Sequence, residues 1–339
     1  MNKPILTALL SALLLTVPHA QARSVHDIEG KQIDIPQNVN RLANLWPANN
    51  QVTLLLGGAD KLVATTQINR DRPWFVKIYP RIKQVPALSK DGLAVQTEAL
   101  AAMHPDVVMV SIPDMQKQVE RAGMKAVLVK FQNFDGMRKT IKITADVIGG
   151  KAPSIAQTYL HDLDSNLNLV ASRTKALPDN QKPLVMHIAN GNKPLQIDGG
   201  KSIAGEWIRT AGGKSAFPDL SNMAEVGMES VIKTNPDVII IGGRNAAAGI
   251  ATIKKNPAWQ SIKAVKNNRI YANPTGVFAW DRYSAEEALE VLWAGKLLHP
   301  QLFKDVDMTT RTQTFYKKYY RYNLNQKDAQ RILQGLDPQ

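Results

Sequence analysis

Residues 98–110 read Glu-Ala-Leu-Ala-Ala-Met-His-Pro-Asp-Val-Val-Met-Val, and residues 229–241 read Glu-Ser-Val-Ile-Lys-Thr-Asn-Pro-Asp-Val-Ile-Ile-Ile. Glu98 falls on Glu229, Pro105 on Pro236 and Asp106 on Asp237, all at one constant offset. Each copy opens as a short helix, with Leu100 and Met103, or Val231 and Ile232, on its apolar face. The proline ends the helix, because the residue before it is pushed out of the α region and proline offers no amide donor. The β-branched and apolar run that follows reads as a strand buried on both faces. Two such units, with a long helix predicted between them, imply two similar lobes. The spacing is too long for a solenoid or propeller.

The rest of the chain fits that division. At 339 residues it is long for one core and comfortable for two domains. An apolar content of 44% marks it as globular rather than disordered. Residues 1–22 stand apart: Lys3 gives a positive start, Ile5 to Val17 an apolar stretch, and Ala20-Gln21-Ala22 a small-x-small cleavage site. That is the pattern of a secretory signal peptide, too short in its apolar part to span a bilayer. The expected mature protein is therefore soluble, periplasmic and not membrane-embedded. It has no cysteine, so it relies on core packing where an exported protein could have used disulfides. The formal charge of +13 falls by one with the signal segment. Export argues against nucleic acid as the reason for this charge, and the basic residues form no block of five or six.

Four segments are predicted: the signal peptide 1–22, an N-terminal α/β lobe 23–150, a linker helix 151–178 and a C-terminal α/β lobe 179–339. In the first lobe, strands are expected at 41–45, 62–66 and 126–129, with a hairpin around Glu29-Gly30 and a long connection over 67–93. Ile155, Tyr159, Leu163, Leu167 and Val170 recur at helical spacing, predicting a linker of about 26 residues, roughly 39 Å long. Strands at 184–189, 195–197 and 269–272 follow, then a loop over 274–283, an amphipathic helix over 285–298 and a helical tail over 311–333. Strands alternating with helices predict a mostly parallel sheet in each lobe.

Catalytic patterns are missing. The phosphate-loop spacing before Gly200-Lys201-Ser202 and before Gly213-Lys214-Ser215 lacks its first glycine, and Ala204 breaks a G-x-S-x-G elbow at Ser202. None of the six histidines stands four residues from another, so no zinc pattern emerges. His187, within a strand, reads as a satisfied core histidine.

Arg41-Leu-Ala-Asn-Leu-Trp-Pro-Ala-Asn-Asn-Gln-Val-Thr-Leu-Leu-Leu-Gly57, the Thr97–Val110 stretch and its second copy together resemble the periplasmic binding proteins of metal-chelate ABC importers (class III), whose ligands include iron–siderophores, haem and cobalamin. Gln51 departs from the glutamate found in many relatives. The resemblance implies two rigid lobes joined by a helix, a ligand held between them, and no catalysis or cofactor. It also implies that Glu98 and Glu229, one per lobe, meet arginines of an inner-membrane permease; a pair of carboxylates on pseudo-symmetric lobes suits a two-fold partner. A monomer is expected. The ligand should sit where the strand ends face the other lobe. The candidate binding residues there are Trp46, Arg70, Arg72, Trp74, Lys193, Arg244, Trp280, Arg282 and Tyr283, since arginine forks suit anionic groups and loop aromatics suit a flat ligand. A ferric siderophore is the leading expectation. Haem would need an axial ligand, for which Tyr283 is placed; no other direct metal ligand is expected. Cobalamin, a nickel or cobalt chelate, and molybdate stay open. The rival from another class is an exported hydrolase using Ser202 or a carboxylate pair.

Overall fold

The computed structural model describes residues 22–243 and 245–339; the expected signal segment, but for Ala22, and Arg244 lie outside them. The chain forms a hairpin and two α/β lobes. β1 (Ala22–His26) and β2 (Gln32–Pro36) pair antiparallel across the turn expected at Glu29-Gly30. β3 (Leu42–Asn44), β4 (Leu62–Thr66), β5 (Ala87–Ser89), β6 (Val107–Val110) and β7 (Ala126–Leu128) form an all-parallel sheet ordered β5-β4-β3-β6-β7. The second sheet contains β8 (Leu184–Ile188), β9 (Gln196–Asp198), β10 (Lys214–Ser215), β11 (Ala224–Glu225), β12 (Val238–Ile241) and β13 (Ile270–Ala272). Its order is β11-β9-β8-β12-β13, with β10 also on β8; β9 and β11 run antiparallel to their neighbours and the rest are parallel.

The duplicated Pro-Asp does the same work in both lobes. The helices Thr97–Ala102 and Met228–Thr234 end, and the residue before each proline, His104 or Asn235, takes a left-handed φ of 45° or 49°. The aspartate then clamps the first strand of its sheet. Asp106 Oδ2 accepts from the Asn40 and Arg41 amides at 2.7 and 2.9 Å, and its own amide donates to Arg41 O. Asp237 Oδ2 accepts from Leu184 N at 2.9 Å and its amide donates to Leu184 O. The motif therefore fixes the register of β6 on β3 and of β12 on β8.

The linker is the helix Ala152–Thr174, of 23 residues. It ends short of the expected boundary, with Lys175 still in the α region and its amide donating to Ala171 O. It packs on the helix Phe134–Ile148 of the first lobe and on the helices Ile203–Thr210 and Glu287–Leu298 of the second. Arg138 meets Asp164 at 2.6 Å, and Tyr159 Oη and Asn166 Nδ2 donate to Ala285 O and Ala288 O. The helix Phe134–Ile148 was not anticipated. Its signals are an Asn133 cap, accepting from Gly136 N at 2.7 Å, and apolar residues at Met137, Ile141, Ala145 and Ile148. Ala246–Lys255, a further helix, was also passed over.

The tail is not one helix. Helix Met308–Phe315 runs into a π turn at Tyr316–Tyr320, breaks where Arg321 takes φ 55°, and restarts as Gln326–Leu333 under an Asn325 cap. It returns to the first lobe: Tyr320 Oη donates to Gln51 Oε1, Arg321 to Leu54 O and Leu55 O, and Lys77 pairs with Asp328 at 2.7 Å. One apolar cluster consequently runs through both lobes, from Leu42 and Trp74 through Tyr159 and Trp280 to Tyr316. No helix among the described residues is long and apolar enough to cross a membrane.

Candidate functional site

Every parallel strand delivers its loop to the same side of its sheet, and the two sheets turn those sides toward a shared cleft. Its volume is about 480 Å³. From the first lobe come Trp46 after β3, Arg72 after β4, Gly92 after β5 and Ile112 after β6; from the second come Gly243 after β12 and Arg282 and Tyr283 after β13. A side branch reaches Ala189 and Asn190 at the end of β8.

Aromatic rings close the cleft across the lobes. Trp46, Phe131 and Tyr283 form a triangle with centroids 5.5, 5.6 and 6.0 Å apart. Tyr283 holds a left-handed φ of 58°, and its hydroxyl bonds Asn222 of its own lobe and Gln132 of the other. Burial pushes the Tyr283 phenol up, against phenolate formation. The Arg72 guanidinium of the first lobe lies 3.8 Å over the Phe278 ring of the second.

Of the expected binding residues, Trp46, Arg72, Arg282 and Tyr283 meet in this cleft. Trp74 and Trp280 do not. Trp74 is 1% exposed, inside the helix Pro73–Ile78, and its indole donates to Leu336 O of the tail. Trp280 is fully buried in the core beneath the loop. Both belong to the apolar core that runs through the two lobes, which answers their exposure without a ligand. Arg70 turns away and donates to Lys83 O, while Lys193 stays exposed in the turn after Ala189. Arg244 lies outside the described residues. Ser202 is the cap of the helix Ile203–Thr210: its Oγ accepts from Gly205 N and donates to Gly199 O. No base touches it among the contacts described, so the nucleophile reading finds no partner there.

Behind Arg282 lies a group that spacing did not reveal. His187 on β8 is buried between two aspartates: Nδ1 is 3.0 Å from Asp198 Oδ2, and Nε2 is 3.3 Å from Asp281 Oδ2. Arg282 Nε stands 3.6 and 3.8 Å from the same two oxygens, and Arg282 Nη2 donates to Ala189 O at 3.0 Å. Trp207 sets its ring edge-on to the imidazole at 5.6 Å. Burial alone would lower the His187 pKa, but the hydrogen bonds and charges of Asp198 and Asp281 outweigh it and hold it at about 9. Burial would likewise raise Asp198, yet the His187 hydrogen bond and the Arg282 charge keep it below the usual carboxylate range. His187 is the buried, partnered core histidine that the sequence led one to expect, but its partners are two aspartates, whose hydrogen bonds and charges favour its protonated form. The expectation of an amphipathic helix near 285–298 needs a correction. Glu287 and Glu290 are fully buried beside this network, and burial followed by the Asp281 charge pushes both carboxyls well up.

Glu98 and Glu229 are exposed, each at the second position of its helix. The first helix starts beside the end of β5, where Gln96 N donates to Leu88 O. The second starts beyond β11, which sits beside the end of β8 through β9. Both carboxylates thus emerge on the strand-end side that carries the cleft.

The sequence profile of the periplasmic binding proteins matches residues 42–275. The molybdate-binding protein MolA of Haemophilus influenzae is 24% identical over 96% of this chain and 99% of its own. Its molybdate-bound structure superimposes with a TM-score of 0.80 at 22% identity, covering 89% of this chain and 99% of that one. A periplasmic solute-binding protein of Veillonella parvula gives a TM-score of 0.79 at 25% identity, covering 92% and 97%. The haem uptake protein IsdE of Staphylococcus aureus is 26% identical over 59% of this chain and 70% of its own.

Proposed function

The chain belongs to the periplasmic binding protein family, and from that premise we propose that it captures an anionic metal chelate between its lobes and delivers it to an inner-membrane ABC permease. A ferric siderophore is the ligand this reading favours. One observation carries it: Arg72 and Arg282 enter the same cleft from opposite lobes, under an aromatic rim of Trp46, Phe278 and Tyr283. Guanidinium forks suit catecholate, carboxylate or other anionic oxygens, and the rings suit a flat ligand body. A cleft of about 480 Å³ is of the size that holds a multi-ring or chelate ligand. The likeness to MolA favours molybdate as a second reading, although a bare tetrahedral oxyanion would fill only a small part of that volume. Haem is less supported, because the Tyr283 phenol, its axial candidate, already bonds Asn222 and Gln132 and resists ionisation.

Binding without chemical turnover is the proposed role, and the docking pair is Glu98 and Glu229. Their support is geometric: equivalent positions, exposed side chains and the cleft-bearing side of both lobes. Native mass spectrometry of protein taken from its own periplasm, followed by tryptophan-fluorescence titration with ferric catecholates, ferric hydroxamates and molybdate, tests the reading. A co-purified chelate, or quenching by a ferric chelate that Arg72→Gln and Arg282→Gln both weaken, supports it. Quenching by molybdate alone moves the assignment to the oxyanion, and no response to any of these probes rejects the anion-capture reading.

A further inference from the structure

We propose that Asp198 and Asp281, joined through His187, are positioning residues that set Arg282 and the Met223 segment in the cleft, so that ligand affinity depends on side chains that never touch the ligand. The role of Arg282 as ligand anchor rests on the function proposed above; its placement by the network does not.

Asp198 is the hinge of the arrangement. Its Oδ2 meets His187 Nδ1 at 3.0 Å and Arg282 Nε at 3.6 Å, and its Oδ1 accepts from Met223 N at 2.8 Å. Met223 and Arg282 both line the cleft, and Met223 holds a left-handed φ of 54°. A non-glycine residue in that conformation needs its surroundings to hold it. Asp281 completes the group from the other side, with Oδ2 between His187 Nε2 and Arg282 Nε. Asp281 packs directly on the backbone just past β12: a Cβ added to Gly242 would lie 1.9 Å from Asp281 Oδ2, so only glycine leaves room for the carboxylate there.

The charges explain why this group orders the arginine. Two aspartates face two cations, so the set is formally neutral in a buried site, where an uncompensated charge is costly. Around it stand Glu287 and Glu290 of the helix Glu287–Leu298, whose carboxyls burial pushes well up, toward the protonated form, and Trp207 of the helix Ile203–Thr210, whose indole donates to Asp281 O. If His187 loses its proton, both aspartates have only Arg282 to pair with. The guanidinium is then drawn inward and its hydrogen bond to Ala189 O is strained.

His187, Asp198 and Asp281 also offer ligand atoms within 4.8 Å of one another. We do not read them as a metal site. The two ring nitrogens of His187 face different aspartates, and the Arg282 guanidinium already occupies the cation position between the carboxylates. A divalent ion there would meet a fixed positive charge.

The test uses the mature protein with ¹⁵N-arginine, reading the Arg282 Nε–H resonance, assigned by its loss in Arg282→Lys. In the unmodified protein this proton should exchange slowly, and its shift should titrate near pH 9 with His187. In His187→Gln and Asp281→Asn its exchange should speed at least tenfold, and the titration should vanish in His187→Gln and move to lower pH in Asp281→Asn, while far-ultraviolet circular dichroism stays unchanged. Asp198→Asn supplies the same readout should either variant fail to fold. Affinity for ferric 2,3-dihydroxybenzoate and for molybdate should fall about tenfold in the variants for whichever probe binds. An Arg282 signal that ignores His187→Gln and Asp281→Asn overturns the positioning proposal. So does a stoichiometric divalent metal in the purified protein that Asp281→Asn removes. If the signal responds but Arg282→Lys binds both probes normally, the network stands and the ligand-anchor reading falls.

Discussion

Replacing His187 by glutamine should cost stability in a way that depends on pH, and the size of the effect follows from the buried ion network. The imidazole is ordinarily half-protonated at 6.5 and is held at about 9 in the fold. That difference corresponds to about 3 kcal/mol, at about 1.4 kcal/mol for each tenfold change in proton affinity. Because the folded protein binds the proton more tightly than the unfolded chain, this stabilisation is fully present below pH 6.5. It is lost as pH rises toward and through 9. Glutamine keeps a polar side chain of similar reach but carries no charge. The stability gap between the natural protein and His187→Gln should therefore be widest near pH 6 and narrower by about 3 kcal/mol at pH 10. Urea denaturation at pH 6, 8 and 10, followed by tryptophan fluorescence, measures it. Comparing the two proteins at each pH cancels the titratable groups outside the network, while the changes in Asp198 and Glu290 that follow loss of His187 belong to the gap itself. A gap that stays constant from pH 6 to 10 would refute the view that His187 is charged in the fold.

Other outcomes follow from the same geometry. Glu287→Gln should stabilise the protein at pH 8 relative to pH 4.5, since burial favours the protonated carboxyl and the natural protein loses that advantage as pH rises above 4.5; equal melting-temperature differences at both pH values would count against it. Asp106→Ala releases two amides and Asp237→Ala one, so urea midpoints should place the first loss at about 1–3 kcal/mol and the second below it. The reverse order would undo the account of the Pro-Asp clamp. Charge reversal at Glu98 and Glu229 together should leave chelate affinity unchanged while lowering ligand-stimulated ATP hydrolysis by the reconstituted permease at least tenfold. Unimpaired stimulation would remove the docking role.

What the sequence made legible is what local chemistry decides. The Pro-Asp copies announced two lobes because a proline that ends a helix and an aspartate that clamps the neighbouring strand act within a few residues of one another. Trp46, Arg72, Arg282 and Tyr283 could be placed because they lie in the connections that leave strand ends, and strand ends in a parallel sheet point one way. Trp74 and Trp280 sit within two residues of those arginines and were misplaced. What buries Trp74 is the tail, whose Leu336 carbonyl accepts its indole proton from 262 positions away. No pattern around residue 74 contains that information.

The buried network was illegible for a related reason. Its acids look like surface residues in sequence, Glu287 and Glu290 most of all, since their spacing on a helix ordinarily marks the solvated side. They are inside because this helix is covered on several sides at once, by the linker, by the helix Ile203–Thr210 and by the tail. The same covering joins the lobes through a continuous apolar core. Among the side chains that line the cleft, Arg282 is backed by Asp198 and Asp281, with His187 between them.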